Sequence, residues 1–167
     1  TGDILFFGRW ILYKSCLQLR EWERSGHEGL FVSVNLSPLQ FIQKDLVSQV
    51  SAVLESTGVK AANLKLEITE GAIMEDPDDA VAKLNLLRAL GIRISIDDFG
   101  TGYSSLNYLQ KLPIDTLKID KSFIDDVTSN VQNHQIVRAI ISLARSLDIE
   151  TLAEGVETEA QKDLILG

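Results

Sequence analysis

The chain has 167 residues, 45% apolar and 24% charged, with 24 acidic against 16 basic side chains and a formal net charge of -8. A domain of this size and apolar content buries roughly 68–70% of the surface its unfolded chain exposes, which excludes intrinsic disorder. No apolar run approaches the ~20 residues that span a bilayer, the opening Thr-Gly-Asp-Ile-Leu-Phe-Phe lacks the marks of a signal peptide, and the acidic balance repels DNA, RNA and anionic membranes at long range. A phosphate-bearing ligand therefore needs a local cation: lysine, arginine or metal.

In chain order, residues 3–26 carry a helical apolar spacing through Ile4, Phe7, Ile11, Leu12, Cys16, Leu19 and Trp22. The lone Cys16 cannot form an internal disulfide and reads as a reduced core thiol of a cytoplasmic protein. A strand is expected over 30–36. Ser37-Pro38-Leu39-Gln40 then supplies an N-cap, a proline at the first helical position and a capping-box glutamine for a helix running to Gly58. Another strand covers 64–69. Asp76-Pro77-Asp78-Asp79 opens a helix that Gly91 closes. Residues 92–97 read as strand, 98–105 as a glycine-containing loop and 116–120 as strand. A helix follows over 130–147, a strand over 149–154, and Thr158-Glu159-Ala160-Gln161 forms a second capping box.

Five strands alternating with helices imply parallel pairing through right-handed crossovers. The two faces of the strands differ. Val34, Leu36, Leu64, Leu66, Ile68, Ile92, Ile94, Ile96, Leu117 and Ile119 form an apolar set, whereas Ser33, Asn35, Lys65, Glu67, Ser95, Asp97, Lys118, Asp120 and Glu154 form a polar one. Central strands of a doubly wound sheet are apolar on both faces. Polar residues repeated at the C-terminal ends of successive strands match a (β/α) barrel, whose active site lies at that end. A closed barrel takes about eight strands and about 250 residues, so the expectation is an α/β fold of partial TIM-like type with about five of the eight strands.

Asn35, Glu67, Asp97, Asp120 and Glu154 end successive strands, and Asp98 and Glu157 lie just beyond. So many carboxylates at one rim repel by several kcal/mol unless protonated or bridged by cations, and hard divalent ions such as Mg²⁺ or Mn²⁺ take all-oxygen ligands. Lys118 shares a strand face with Asp120, as a plain ion-pair partner or as a point charge for a water or phosphate oxygen. Adjacent Asp97 and Asp98 suit two ions. Gly100 and Gly102, flanking Thr101, let the backbone turn tightly or approach a ligand, and Glu70 can accept hydrogen bonds from that loop. His27 and His134 read as surface residues without a metal role.

Val34-Asn35-Leu36-Ser37, Leu66-Glu67-Ile68-Thr69-Glu70, the run from Asp97 to Leu106, Leu117-Lys118-Ile119-Asp120 and Ala153-Glu154-Gly155-Val156-Glu157 resemble successive signatures of the EAL domain family. That resemblance implies a metal-dependent phosphodiesterase that linearises the bacterial second messenger cyclic di-GMP to pGpG by a two-metal in-line attack. It implies that Asn35, Glu67 and Asp97 hold a first ion, with Asp97, Asp98 and Glu154 on a second and Asp120 beside it. Lys118 corresponds to the lysine that contacts the attacking water, and Glu154 acts with it in catalysis. Glu70 corresponds to the residue that steadies the loop containing Gly100, Thr101, Gly102 and Ser104, and Glu157 to a substrate-side position. By the same resemblance the single domain over 1–167 lacks the Glu-Ala-Leu strands before it and the last strand after it. Three expectations follow: the piece hydrolyses little alone, its open sheet edges favour a homodimer or other self-association, and the parent protein can carry a fused GGDEF or sensor domain and can be membrane-tethered, though this segment makes no membrane contact. A non-catalytic cyclic di-GMP receptor is the competing function. An enolase-type enzyme, with rim carboxylates on Mg²⁺ and a basic lysine, fits the paired Asp97 and Asp98 less well.

Overall fold

The computed structural model describes residues 2–102 and 106–166. Helix α1 (Gly2–Arg24) leads into β1 (Val32–Leu36), followed by α2 (Pro38–Phe41) and α3 (Leu46–Thr57). Strand β2 (Leu64–Thr69) runs directly into α4 (Glu70–Met74), then α5 (Pro77–Ala89) and β3 (Arg93–Phe99). The rest is α6 (Leu106–Leu109), β4 (Thr116–Ile119), α7 (Lys121–Asp125), α8 (Val131–Ser146), β5 (Glu150–Ala153) and α9 (Glu159–Leu166).

All neighbouring strands pair in parallel, in the order β1-β2-β3-β4-β5. Strand order that never reverses belongs to a barrel wall; a doubly wound sheet reverses at a switch point. The outer face carries the core, with Leu64, Leu66, Ile68, Ile94, Leu117 and Ile119 fully buried beneath the helices. The inner face is polar and layered. Lys65 Nζ on β2 donates to Thr116 Oγ1 on β4 (3.2 Å), and one step further along Lys118 on β4 reaches Glu67 on β2 (2.9 Å). Side chains of alternate strands meeting in a layer are the interior packing of a (β/α) barrel.

The terminators act as the sequence implies. Ser37 and Gln40 close a reciprocal capping box, Asp76 caps α5 and Gly58 ends α3 in the left-handed region, while the Asn130 cap of α8 is not among the expected ones. Two expectations need correction. The helix expected from Ser37 to Gly58 breaks into α2 and α3, because the buried Lys83 ammonium donates to the Phe41 carbonyl (3.0 Å), which then does not serve the next helical turn. On α1 the buried stripe is Gly8, Leu12, Cys16 and Leu19, while Ile4, Phe7, Ile11 and Trp22 are exposed. Only one narrow face of this helix packs, against β1, α2 and α3. Cys16 is wholly buried, and burial pushes its thiol up to about 11. None of the described helices is long and apolar enough to cross a membrane.

Candidate active site

The polar rim is set by register. Asn35 lies opposite Glu67 across β1 and β2, and Thr69 lies opposite Asp97 across β2 and β3. Between β3 and β4 the ladder slips: Ile96 pairs with Leu117 and Phe99 with Ile119, so Asp97 and Asp98 together face Lys118. This two-against-one bulge departs from the expected end of β3 at Asp97. The extra residue, Asp98, takes φ 55°, which an aspartate tolerates better than most side chains.

Lys118 is the hub. Its ammonium contacts Glu67 Oε2 at 2.9 Å, Asp97 Oδ1 at 2.9 Å and Glu154 Oε1 at 2.6 Å, drawing carboxylates from β2, from β3 and from just beyond β5 onto one nitrogen. Burial opposes the charged ammonium, but the bonds to Glu154, Asp97 and Glu67 outweigh it and raise the Lys118 pKa above its usual value. Lysine therefore stays cationic through the physiological range.

Asp98 behaves in the opposite sense. Burial first, then the carboxylates of Asp97, Asp120 and Glu154, raise its pKa. Asp120 caps α7, and the Ser122 hydroxyl is the chief cause that lowers its pKa.

Glu70 is 2% exposed and its Oε2 accepts from the Gly100 N–H at 2.9 Å, fastening the loop after β3 to the start of α4. Gly100 has φ +97° and is crowded by Phe123 and Ile140, so a side chain there would be strained as well as blocked. A Cβ on Gly102 would stand 3.0 Å from Glu70 Oε1, and Thr101 Oγ1 donates to the Asp98 carbonyl at 2.8 Å. Ser104 lies outside the described residues. Glu157 is exposed and pairs with Lys121 at 3.2 Å, away from the lysine hub.

Among the described residues, no three or more His, Cys, Asp and Glu side chains are already gathered as a metal cage. Glu67, Asp97 and Glu154 close on Lys118 instead, with Asn35 exposed at the same rim. The donor chemistry nevertheless fits a hard divalent cation: every donor is oxygen, and the bulge sets Asp97 and Asp98 side by side at the rim. Sequence reasoning missed Lys121 and Ser122, which hold Glu157 and Asp120, because an isolated lysine or serine after a strand has no distinguishing pattern.

A sequential parallel sheet with an acidic, lysine-centred rim at its C-terminal end defines an α/β domain of the barrel class, with its chemistry at that rim. The EAL domain family matches residues 3–166. The chain belongs to that family. It is 45% identical over 165 residues to the bifunctional diguanylate cyclase/cyclic di-GMP phosphodiesterase MucR of Pseudomonas aeruginosa, covering 99% of this chain and 24% of that protein. It is 45% identical over 152 residues to the cyclic di-GMP phosphodiesterase NbdA of the same organism, covering 91% of this chain and 19% of the relative. The chain thus spans about a quarter or less of these relatives. A solved MucR phosphodiesterase in complex with c-di-GMP superposes with TM-score 0.95 at 44% identity, covering 99% of this chain and 67% of that one. The EAL domain of Mycobacterium smegmatis DcpA gives 0.90 at 37% identity, covering 97% and 73%.

Proposed function

We propose that this chain forms the greater part of a phosphodiesterase domain that hydrolyses cyclic di-GMP to pGpG in the bacterial cytoplasm, as one module of a longer signalling protein. The observation that carries the reading is the meeting of Glu67, Asp97 and Glu154 on Lys118, in a chain whose relatives include named cyclic di-GMP phosphodiesterases.

Asn35, Glu67 and Asp97 are the residues to hold one Mg²⁺ or Mn²⁺, and Asp97, Asp98 and Glu154, with Asp120 alongside, a second. Such ions, when bound, polarise phosphoryl oxygens and make a strong nucleophile available at neutral pH. Lys118 contributes a fixed positive charge where phosphoryl charge grows, without donating its proton away. Glu154, bonded to that ammonium, orients it toward the reacting phosphate. Glu70 holds the loop of Gly100, Thr101 and Gly102 against the substrate side, and Glu157 borders the substrate path.

The test is a Mn²⁺-supported hydrolysis assay on the full-length protein, wild type against Glu154→Ala. We expect release of pGpG by the wild type and a loss of about 100-fold or more in the variant. Binding of cyclic di-GMP without turnover would instead make the domain a receptor. The 167-residue stretch alone is proposed to turn over far more slowly than the full-length protein, and to self-associate through the edges β1 and β5 and the exposed aromatics Phe6, Phe7 and Trp10 of α1. Sedimentation as a monomer at high concentration would contradict the latter.

A further inference from the structure

Gln161, near the start of α9, is 7% exposed and uses both ends of its amide. Its Oε1 accepts from the backbone N–H groups of Glu157 and Thr158, each at 2.9 Å, and from the Thr158 hydroxyl at 3.2 Å. Its Nε2 donates to the carbonyls of Ile124 (3.1 Å) and Asp125 (3.4 Å). A capping box accounts for the first set, which closes the start of α9 on itself. It does not account for the second, which reaches 36 and 37 residues back to the end of α7.

The two ends of the amide thus join the segments that leave β4 and β5. The β4 segment carries Lys118 and Asp120, the latter capping α7. The β5 segment carries Glu154 and Glu157. A second link between them, Lys121 to Glu157, is exposed on both sides, and such pairs hold geometry weakly. Gly155 lets the segments approach closely: at φ +72° it leaves room for the Lys121 stem, whose Cγ lies 2.6 Å from where a Cβ would stand. The buried amide is the stronger tie, because breaking it leaves backbone groups unpaired away from water.

Resting on the phosphodiesterase reading above, we propose that Gln161 is a positioning residue of the active site, a clamp that sets the separation of the β4 and β5 rims and so keeps Glu154 against Lys118. Gln161 touches none of the rim carboxylates and acts only through the backbone that carries them.

The experiment compares Gln161→Glu, Thr158→Ala and Glu154→Ala in the full-length protein. Gln161→Glu keeps the acceptor that caps α9 and loses the amide donors to Ile124 and Asp125. Expected for it are Mn²⁺ binding, measured by calorimetry without substrate, weakened several-fold, and kcat lowered about tenfold with KM within about twofold, the pattern of a displaced group. Thr158→Ala removes only the cap hydroxyl and is expected to lower the unfolding midpoint while kcat and Mn²⁺ affinity stay within twofold. Wild-type kcat and Mn²⁺ affinity in Gln161→Glu, or an equal loss in Thr158→Ala, would overturn the clamp. Undiminished turnover in Glu154→Ala would overturn the phosphodiesterase assignment of these residues, and with it the role given to the clamp.

Discussion

The outer and inner faces of the sheet are made by alternate residues of the same five strands, yet they are built on opposite physical terms. On the outer face Leu64, Leu66, Ile68, Ile94 and Leu117 lose essentially all contact with solvent, and their removal from water stabilises the fold. On the inner face Glu67, Asp97 and Lys118 lose most of their hydration and regain it through one another, an exchange in which attraction is largely cancelled by desolvation. Stability is thus concentrated on one face and chemical potential on the other.

The largest expected effect that would break this division is on the outer face. Leu66→Ala should cost about 2–5 kcal/mol in denaturant unfolding, while turnover per folded molecule stays near wild type; a variant that folds as well as wild type would place the core elsewhere. Next is Lys118→Met, which removes the charge that Glu67, Asp97 and Glu154 share. Turnover should fall about 10²–10³-fold with a smaller effect on stability than Leu66→Ala. A smaller effect sharpens the comparison. The Asp98 carboxyl is raised in the folded protein above its ordinary 3.8, so its ionisation costs more folded than unfolded. Its contribution to stability is therefore highest below that value and falls as pH rises through the folded pKa. Without divalent ions, the unfolding midpoint of Asp98→Asn should gain on wild type as pH rises above 3.8 toward neutrality. A constant difference across that range would remove the carboxylate crowding as its cause.

Much of this division is legible in the sequence, because a strand exposes its two faces with a period of two residues. The alternation through Leu64, Lys65, Leu66, Glu67 and Ile68 contains both the buried set and the rim set. Caps were equally readable at Ser37, Asp76 and Gly58, each a local device whose partners lie within four residues. What depended on distant partners was not. The break after Phe41 comes from Lys83, 42 residues on, and the bulge that sets Asp98 beside Asp97 comes from how β4 pairs, which no pattern within 93–99 announces. Likewise, Gln161 carries the capping signal but not its reach to α7. On α1, a broad apolar stripe suggested a broad buried face, and the structure packs only the row through Leu12, Cys16 and Leu19.

The unbroken sequential order of the strands has a consequence for how the polypeptide is made. Since each strand lies beside the one synthesised just before it, every unit finds its neighbour already in place as it leaves the ribosome, and the loops to be closed stay short. The wall can assemble stepwise in the direction of translation, and the lysine hub is complete only when Glu154 emerges to join Glu67, Asp97 and Lys118.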